Sequence, residues 1–464
     1  MTLHRASRFA VTLALLGGPA VAGAQAFGLN EIGSCAIGRG FANTGAPCQD
    51  ASTIYWNPGA MPATHGWSAL AGAAVIKIDG DFTRDTSFQK FDANVPTAIV
   101  PHAFVNYRTS HRLAFGAGLY VPYGLTSQWH NNFPGRFSAQ KASLTSIYVQ
   151  PNVAFQLNDN WSVGGGPVIG RSNVELIQGI DLATQHAPNG ATFGQLGFPL
   201  RTEFASVQLK GSAMAYGVNV GIYGRITPAF QVGARYLSAL DFKYDDADAT
   251  FTPVNTGLTL SANSPLLPPG GQGGVPVDAL LAGQFSGTGA LVSQKVHTRI
   301  KHPAQFQAGF GYTYMGTTLS ADYAWVGWQS FDSLPVQFQG PASASSRSLL
   351  EQYKNTNSVR LGLEHRYFNG HALRAGFAMA QAAAPDVTVT PLLPEMDREY
   401  GTLGGTFAID RNFSVDGAFA HIFTPGRRGR IDERTSPSQT AAQLNSGAYT
   451  LRANIFSLSL RASL

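Results

Sequence analysis

The chain reads as an all-β protein, a 14-stranded antiparallel transmembrane β-barrel with an N-terminal hatch, or plug, in its lumen. Three observations predict this. Stretches of period-2 alternation recur along the sequence, their connections alternate between tight and long, and the segment before the first strand lacks sustained alternation.

The alternation is clearest at the C-terminus, where Phe456, Leu458, Leu460, Ala462 and Leu464 alternate with Ser457, Ser459, Arg461 and Ser463. Val359, Leu361 and Leu363 oppose Arg360, Gly362 and Glu364 in the same way, and Leu319, Ala321, Tyr323 and Trp325 oppose Ser320, Asp322 and Ala324. Alternation alone also fits a soluble sheet with one face in a core and one in water. The connections separate the two. Strands are predicted over 67–78, 98–108, 113–121, 143–157, 161–176, 211–225, 230–244, 300–314, 318–328, 356–367, 372–383, 397–408, 413–424 and 448–464. Every second connection is three or four turn-forming residues, at 109–112, 158–160, 226–229, 315–317, 368–371 and 409–412. Between them fall long loops rich in Pro, Gly, Ser, Asn and Gln, the longest over 245–299 and including 265–274. Short turns at one rim and long loops at the other are the outer-membrane pattern, with turns in the periplasm. In lipid an open sheet edge would leave backbone groups unpaired, so the strands must close into a ring. Fourteen strands enclose more space than wall side chains fill, so the lumen calls for a plug.

Charged residues make up 13% of the 464 residues, while Gly at 52 and aromatics at 11% are abundant. That balance suits strands with one face in lipid. No post-signal stretch is long and apolar enough for a spanning helix. The net charge of +5 is spread without a basic block, which removes the argument for a nucleic-acid partner. Residues 1–24 have the form of a secretory signal: His4, Arg5 and Arg8, the apolar run 9–16, then Ala22-Gly23-Ala24. Cleavage is expected after Ala24, with Ala26 as the second site. An exported chain meets an oxidising compartment, where Cys35 and Cys48 can form a disulfide; their spacing equally allows two separate buried thiols.

Residues 25–66 form the expected hatch and 67–464 the barrel. Within the hatch, Phe27-Gly28-Leu29-Asn30-Glu31, Gly38-Arg39-Gly40-Phe41-Ala42 and 50–60, ending Asn57-Pro58-Gly59-Ala60, resemble the N-terminal hatch of the FadL family of long-chain fatty acid and hydrophobic compound transporters. Tyr120-Val121-Pro122-Tyr123-Gly124-Leu125 resembles that family's segment after the third strand, and 359–364 with 373–376 resembles its later strands. The likeness covers essentially the whole mature chain. Two positions depart from it: Gly59 stands where the family's Asn-Pro-Ala has alanine, and Leu464 replaces the usual terminal aromatic.

The resemblance implies a monomer in the bacterial outer membrane, surrounded by outer-membrane lipid, that takes up long-chain fatty acids passively and releases them sideways at a kink in the third strand. Neutral aromatic or other hydrophobic hydrocarbons are the alternative cargo. Gly116 and Gly118 in that strand are candidates for the lateral opening, or they ease barrel curvature. Apolar residues in the long loops, Phe193, Phe198, Leu266 and Leu267 among them, either line a capturing groove or pack on one another. Arg360, Arg366 and Arg374 fall on the lumenal face, where each can meet a cargo carboxylate or pair with an acid such as Glu364 or Asp322. A lipid esterase is the rival from another class. The sequence holds no G-x-S-x-G elbow, H-E-x-x-H pair, C-x-x-C or phosphate loop, and His102, His297, His302, His365, His371 and His421 are scattered. Neither a metal nor a cofactor is implied.

Overall fold

The computed structural model describes residues 26–464 apart from positions 65, 110, 111, 188, 269, 433, 435 and 437; the expected signal over 1–24 and its cleavage site after Ala24 lie outside them. The wall consists of β1 (Trp67–Arg84), β2 (Ala98–Arg108), β3 (Leu113–Gln128), β4 (Lys141–Gln156), β5 (Trp161–Asp181), β6 (Glu203–Arg225), β7 (Phe230–Leu237 and Leu240–Pro253) and β8 (Gln294–His302 and Gln305–Tyr314). It continues through β9 (Thr317–Val326), β10 (Thr356–Arg366), β11 (Ala372–Ala380), β12 (Arg398–Ala408), β13 (Phe413–Phe423) and β14 (Gly447–Ser463). Each strand pairs antiparallel with its sequence neighbours, and β14 returns to β1 from Ser68 opposite Ser463 to Arg84 opposite Gly447. The result is a closed antiparallel barrel of 14 strands.

The burial pattern shows which face meets which solvent. On β10 the apolar Val359, Leu361 and Leu363 are 52%, 46% and 45% exposed, while Arg360 and Glu364 between them are 1% and 3% exposed. A soluble sheet would do the reverse; a barrel in lipid does this. At the short-turn rim Trp67 stacks on Tyr107 at 4.4 Å, and Tyr314, Tyr367, Phe407 and Phe413 face outward nearby, forming an interfacial belt. Leu464 completes the ring, exchanging backbone hydrogen bonds with Trp67 at 2.8 and 2.9 Å.

At the long-loop rim the strands run further than alternation predicts. β1 continues to Arg84, β3 to Gln128 and β5 to Asp181, while β6 begins at Glu203. Above the hydrocarbon an outward residue need not be apolar, and Asp79, Asp81, Asp181 and Lys210 sit in these extensions. The hydrophobic signal stops there while the backbone ladder continues. Trp328, expected inside β9, lies beyond its end in a short helical turn, Trp328–Ser330, and is buried.

The N-terminal segment occupies the lumen. From Ala26 to Thr64 every residue is buried except Leu29, Pro47, Gln49 and Ala63. It carries two single-turn helices, Ser34–Gly38 and Thr53–Trp56, and a 3₁₀ stretch, Pro58–Ala63. Cys35 and Cys48 are bonded to each other, with Cα atoms 6.3 Å apart. Asn57 caps the 3₁₀ stretch by accepting from Gly59 N–H at 3.1 Å, and its amide donates to Thr44 O at 2.9 Å and Ile222 O at 3.0 Å. A Cβ on Gly59 would come within 2.8 Å of Gly221 O, so the segment approaches β6 where only glycine fits. That contact accounts for glycine after Pro58.

Candidate functional site

The lumenal arginines fasten the N-terminal segment. Glu364 accepts from Arg366 Nε at 2.6 Å and from Arg374 Nε at 2.5 Å, and Arg374 also reaches Asp416 at 3.2 Å and Thr406 at 2.7 Å. Arg360 donates to Asn30 at 3.1 Å and Gln307 at 3.3 Å and lies over the Trp56 ring at 5.6 Å. Arg366 donates to Gln49 at 2.8 Å. Asp322 takes the backbone N–H groups of Thr44 and Gly45 at 2.6 and 3.1 Å. All three arginines face the lumen, yet each is engaged by the segment or by wall acids. A cargo carboxylate would have to displace Glu364 or Asp416 to reach Arg374, leaving a buried charge unpaired.

The wall's pairing has a gap, a window in the hydrogen-bond ladder between β2 and β3. The β2–β3 ladder runs from Arg108 opposite Ala114 to Ala103 opposite Leu119, and the 98–102 part of β2 has no partner on β3. Beyond Leu119 the alternation of β3 breaks, and four consecutive residues, Tyr120 to Tyr123, are all buried. The strand has turned inward. Between Tyr120 and Tyr123 the register with β4 slips, and Pro122, which carries no N–H, sits at the slip. The backbone groups this frees are taken by the N-terminal segment: Leu29 N–H donates to Pro122 O at 2.9 Å, and Gly124 N–H donates to Phe27 O at 2.9 Å. Above the window, Ala93 bridges Trp129 and Asn94 N–H donates to Gln128 O at 2.7 Å.

Gly116 and Gly118 lie below this window, in the paired part of β3. A Cβ on Gly116 would meet Ile54 Cδ1 at 2.8 Å, and one on Gly118 would meet Phe104 Cδ1 at 2.6 Å. They make room for the plug and the wall lining. The break starts two residues after Gly118, at Tyr120.

Inside the window lies an aromatic chamber. Phe27 packs edge-on against Trp328, Phe331, His302 and Tyr123, with ring centroids at 4.6, 5.4, 5.7 and 6.0 Å. Tyr123 spans the lumen, donating to Pro303 O at 2.9 Å and accepting from Gln305 at 2.8 Å. Pro303 is where β8 is interrupted, so the irregular points of β3 and β8 are joined through one phenol. Tyr148 Oη lies 2.8 Å from His302 Nδ1. Tyr353 backs the chamber, 5.1 Å from Phe331.

The loop residues form a separate cluster. Phe193 packs on Phe198 at 5.2 Å, and Leu266 and Leu267 join Leu182, Leu260 and Leu281 in an apolar core beneath the long loops. The side chains of this cluster pack on one another.

The structure is thus a closed barrel whose lumen holds the N-terminal segment and whose wall pairing has a gap between β2 and β3. A family model described as outer membrane protein transport protein (OMPP1/FadL/TodX) matches residues 16–463. The chain belongs to this family. It is an outer-membrane transporter of hydrophobic compounds, not an enzyme. Relatives include the 47 kDa outer membrane protein of Pasteurella multocida, 25% identical over 97% of this chain and 99% of that one. The long-chain fatty acid transport protein of Escherichia coli K12 is 25% identical over 93% and 94%. Among solved structures, a Pseudomonas aeruginosa FadL homologue superposes with a TM-score of 0.78 at 20% identity, covering 95% of this chain and 100% of that one. The Ralstonia pickettii toluene transporter TbuX gives 0.65 at 20% identity, covering 94% and 99%. These two show the shared fold.

Sequence reasoning missed the chamber's walls. His302, Trp328 and Phe331 come from β8 and the loop after β9, and nothing in their spacing joins them to Phe27. A proline inside an otherwise alternating strand was the available signal at both irregular points, Pro122 and Pro303.

Proposed function

We propose that this member passes small hydrophobic molecules passively inward, from the long-loop rim into the aromatic chamber and out sideways through the β2–β3 window into the membrane. The observation that carries this reading is the inward turn at Tyr120 to Tyr123, which removes wall pairing where the plug's N-terminal end lies. Burial of apolar surface favours such a path: each CH₂ gains about 0.8 kcal/mol out of water, so an apolar cargo is better leaving into lipid than into the aqueous periplasm. Relatives named as long-chain fatty acid transport proteins, similar along almost their whole length, support a fatty acid. The chamber supports a second reading, a neutral aromatic, because its lining is aromatic and Arg360, Arg366 and Arg374 are already engaged.

Four residues of β3, Tyr120 to Tyr123, are set against three of β4, Tyr148 to Ser146, so deleting Pro122 removes the extra residue. The test is uptake of labelled oleate and of toluene by cells carrying the chain, with and without this deletion. Uptake of either by the wild type, lost in a deletion variant that still migrates as a folded barrel, is the expected result. Undiminished uptake by the folded deletion variant would overturn the lateral route.

A further inference from the structure

Beneath the plug, at the short-turn rim, lies a cavity of about 160 Å³ that the proposed cargo route does not touch. The wall side is made by the ends of four strands, with Arg225 on β6, Thr313 on β8, Thr318 on β9, and Glu364 and Arg366 on β10. The plug side is made by Arg39, by Cys48 of the disulfide and by part of the 3₁₀ stretch. Among the described residues, three arginines therefore line the space with one acid, and Glu364 is already taken by Arg366 and Arg374. The volume falls below the roughly 300 Å³ at which pockets for drug-sized molecules begin, so it suits a small ion and not an acyl chain.

Arg39 is the residue here without an adequate partner. It is 2% exposed, and among the described residues its Nε and Nη2 have no hydrogen-bond partner. Nη1 reaches Cys48 Sγ at 3.9 Å, and no carboxylate bonds to the guanidinium. The main chain of Arg39 is pressed against the wall: a Cβ on Gly362 would come within 2.5 Å of its carbonyl oxygen, and one on Gly376 within 2.4 Å of its carbonyl carbon. What Arg39 presents to the cavity is thus the far end of its side chain, which lies beside Cys48, another lining residue. The Nε–H and one Nη2–H point the same way from a single edge of the guanidinium, the fork that takes two oxygens of one carboxylate or phosphate. A buried cation left unpaired is costly. Burial is the largest influence on this guanidinium and lowers its pKa, against the attraction of Glu364.

We propose that this cavity is a binding site for a small oxyanion, phosphate or a short carboxylate, held by the open edge of Arg39. Between Arg39 of the plug and Arg225 and Arg366 of the wall, the bound anion ties plug to barrel. The wall is continuously paired from β6 to β10 at this level, so the anion enters from the periplasmic side and not from the bilayer. The site stands apart from the aromatic chamber and the β2–β3 window, and it does not depend on which cargo the barrel carries.

Calorimetric titration of inorganic phosphate, acetate and chloride, each separately and at equal ionic strength, into the detergent-solubilised barrel tests the site. Saturable binding of phosphate or acetate, and none of chloride, is the expected result, and the tighter of the two names the oxyanion. Arg39→Lys keeps the charge and loses the fork, and should weaken that binding about tenfold, the worth of one charge-assisted hydrogen bond. Thr313→Phe, which fills the cavity from the wall and leaves Arg39 in place, should weaken it as well. Hydrogen exchange supplies the second readout: the bound anion should raise protection of amides 39–48 in the wild type and not in Arg39→Lys. Absence of saturable oxyanion binding in the wild type, or undiminished binding in either folded variant, would overturn the site. Binding without added protection would overturn the tie between plug and wall.

Discussion

Gly124 of the barrel wall donates its backbone N–H to the carbonyl of Phe27 in the plug at 2.9 Å. One residue sits at the edge of the side window and the other fills the aromatic chamber. The strand that turned inward lost its partner in β2 and took the plug's first residues instead, so window and chamber share a single set of hydrogen bonds.

That sharing predicts that locking the pair stops transport. A Cβ at position 124 would lie 2.8 Å from Leu29 Cδ1, so Leu29→Cys with Gly124→Cys places two thiols side by side. Oxidised, the double variant is expected to take up neither oleate nor toluene; with reductant, uptake returns. Wild type under the same reductant controls for Cys35–Cys48. Equal uptake in both redox states would show that the plug's end need not move.

The arginine cluster predicts a stability effect without a binding effect. Arg374 is 4% exposed and holds both Glu364 and Asp416, so Arg374→Ala takes the arginine partner from buried Asp416, leaves Glu364 with Arg366 alone, and should cost about 3–5 kcal/mol. Denaturant unfolding in detergent should show that loss, while laurate affinity of the folded fraction stays at the wild-type value. A large fall in laurate affinity at unchanged stability would return Arg374 to the cargo.

How far the sequence could be read follows from where its signals come from. Lipid imposes an apolar residue at every second position, so the membrane-crossing parts of the strands were legible to within a few residues; β2 has the predicted bounds, 98–108. Above the lipid that demand ends, and Asp81, Asp181 and Lys210 hid the strand extensions. The plug was legible as a segment without alternation, and Phe27 to Leu29 were singled out by resemblance. The chamber was not, because Tyr123, His302 and Trp328 meet only through the curvature of a closed wall. Arg360, Arg366 and Arg374 lie on the inner face, and their partners depend on where the plug lies, which alternation does not encode.

Asn57 ties the plug to the wall through Thr44 O and Ile222 O, and caps the turn through Gly59. Asn57→Ala removes all three bonds from a fully buried position and should cost about 1–3 kcal/mol. Hydrogen exchange is the appropriate measurement. Amides of residues 51–61 are expected to lose protection while those of β6 away from Ile222 keep it; uniform loss across the barrel would mean that the plug and wall unfold together.

Acid should strengthen docking of the plug. Burial holds the Glu31 carboxyl above its ordinary 4.5, against the opposing pull of its own and Asn30's N–H groups and of Arg398 and Arg360. Asp50 and Glu395 are raised by burial as well. A docked plug therefore keeps these protons at a pH where an undocked, hydrated one has released them. The docked state binds more protons across that window, so its stability falls as pH rises from 4.5 through the raised values and is greatest below it. Protease cleavage within residues 26–50 should accelerate as pH is raised from about 4.5, measured against a pH-matched peptide substrate. Glu31→Gln should flatten the slope, leaving the part that belongs to Asp50 and Glu395. A plug that became more resistant with rising pH would show that Arg398 and Arg360 outweigh the cost of burying the charge.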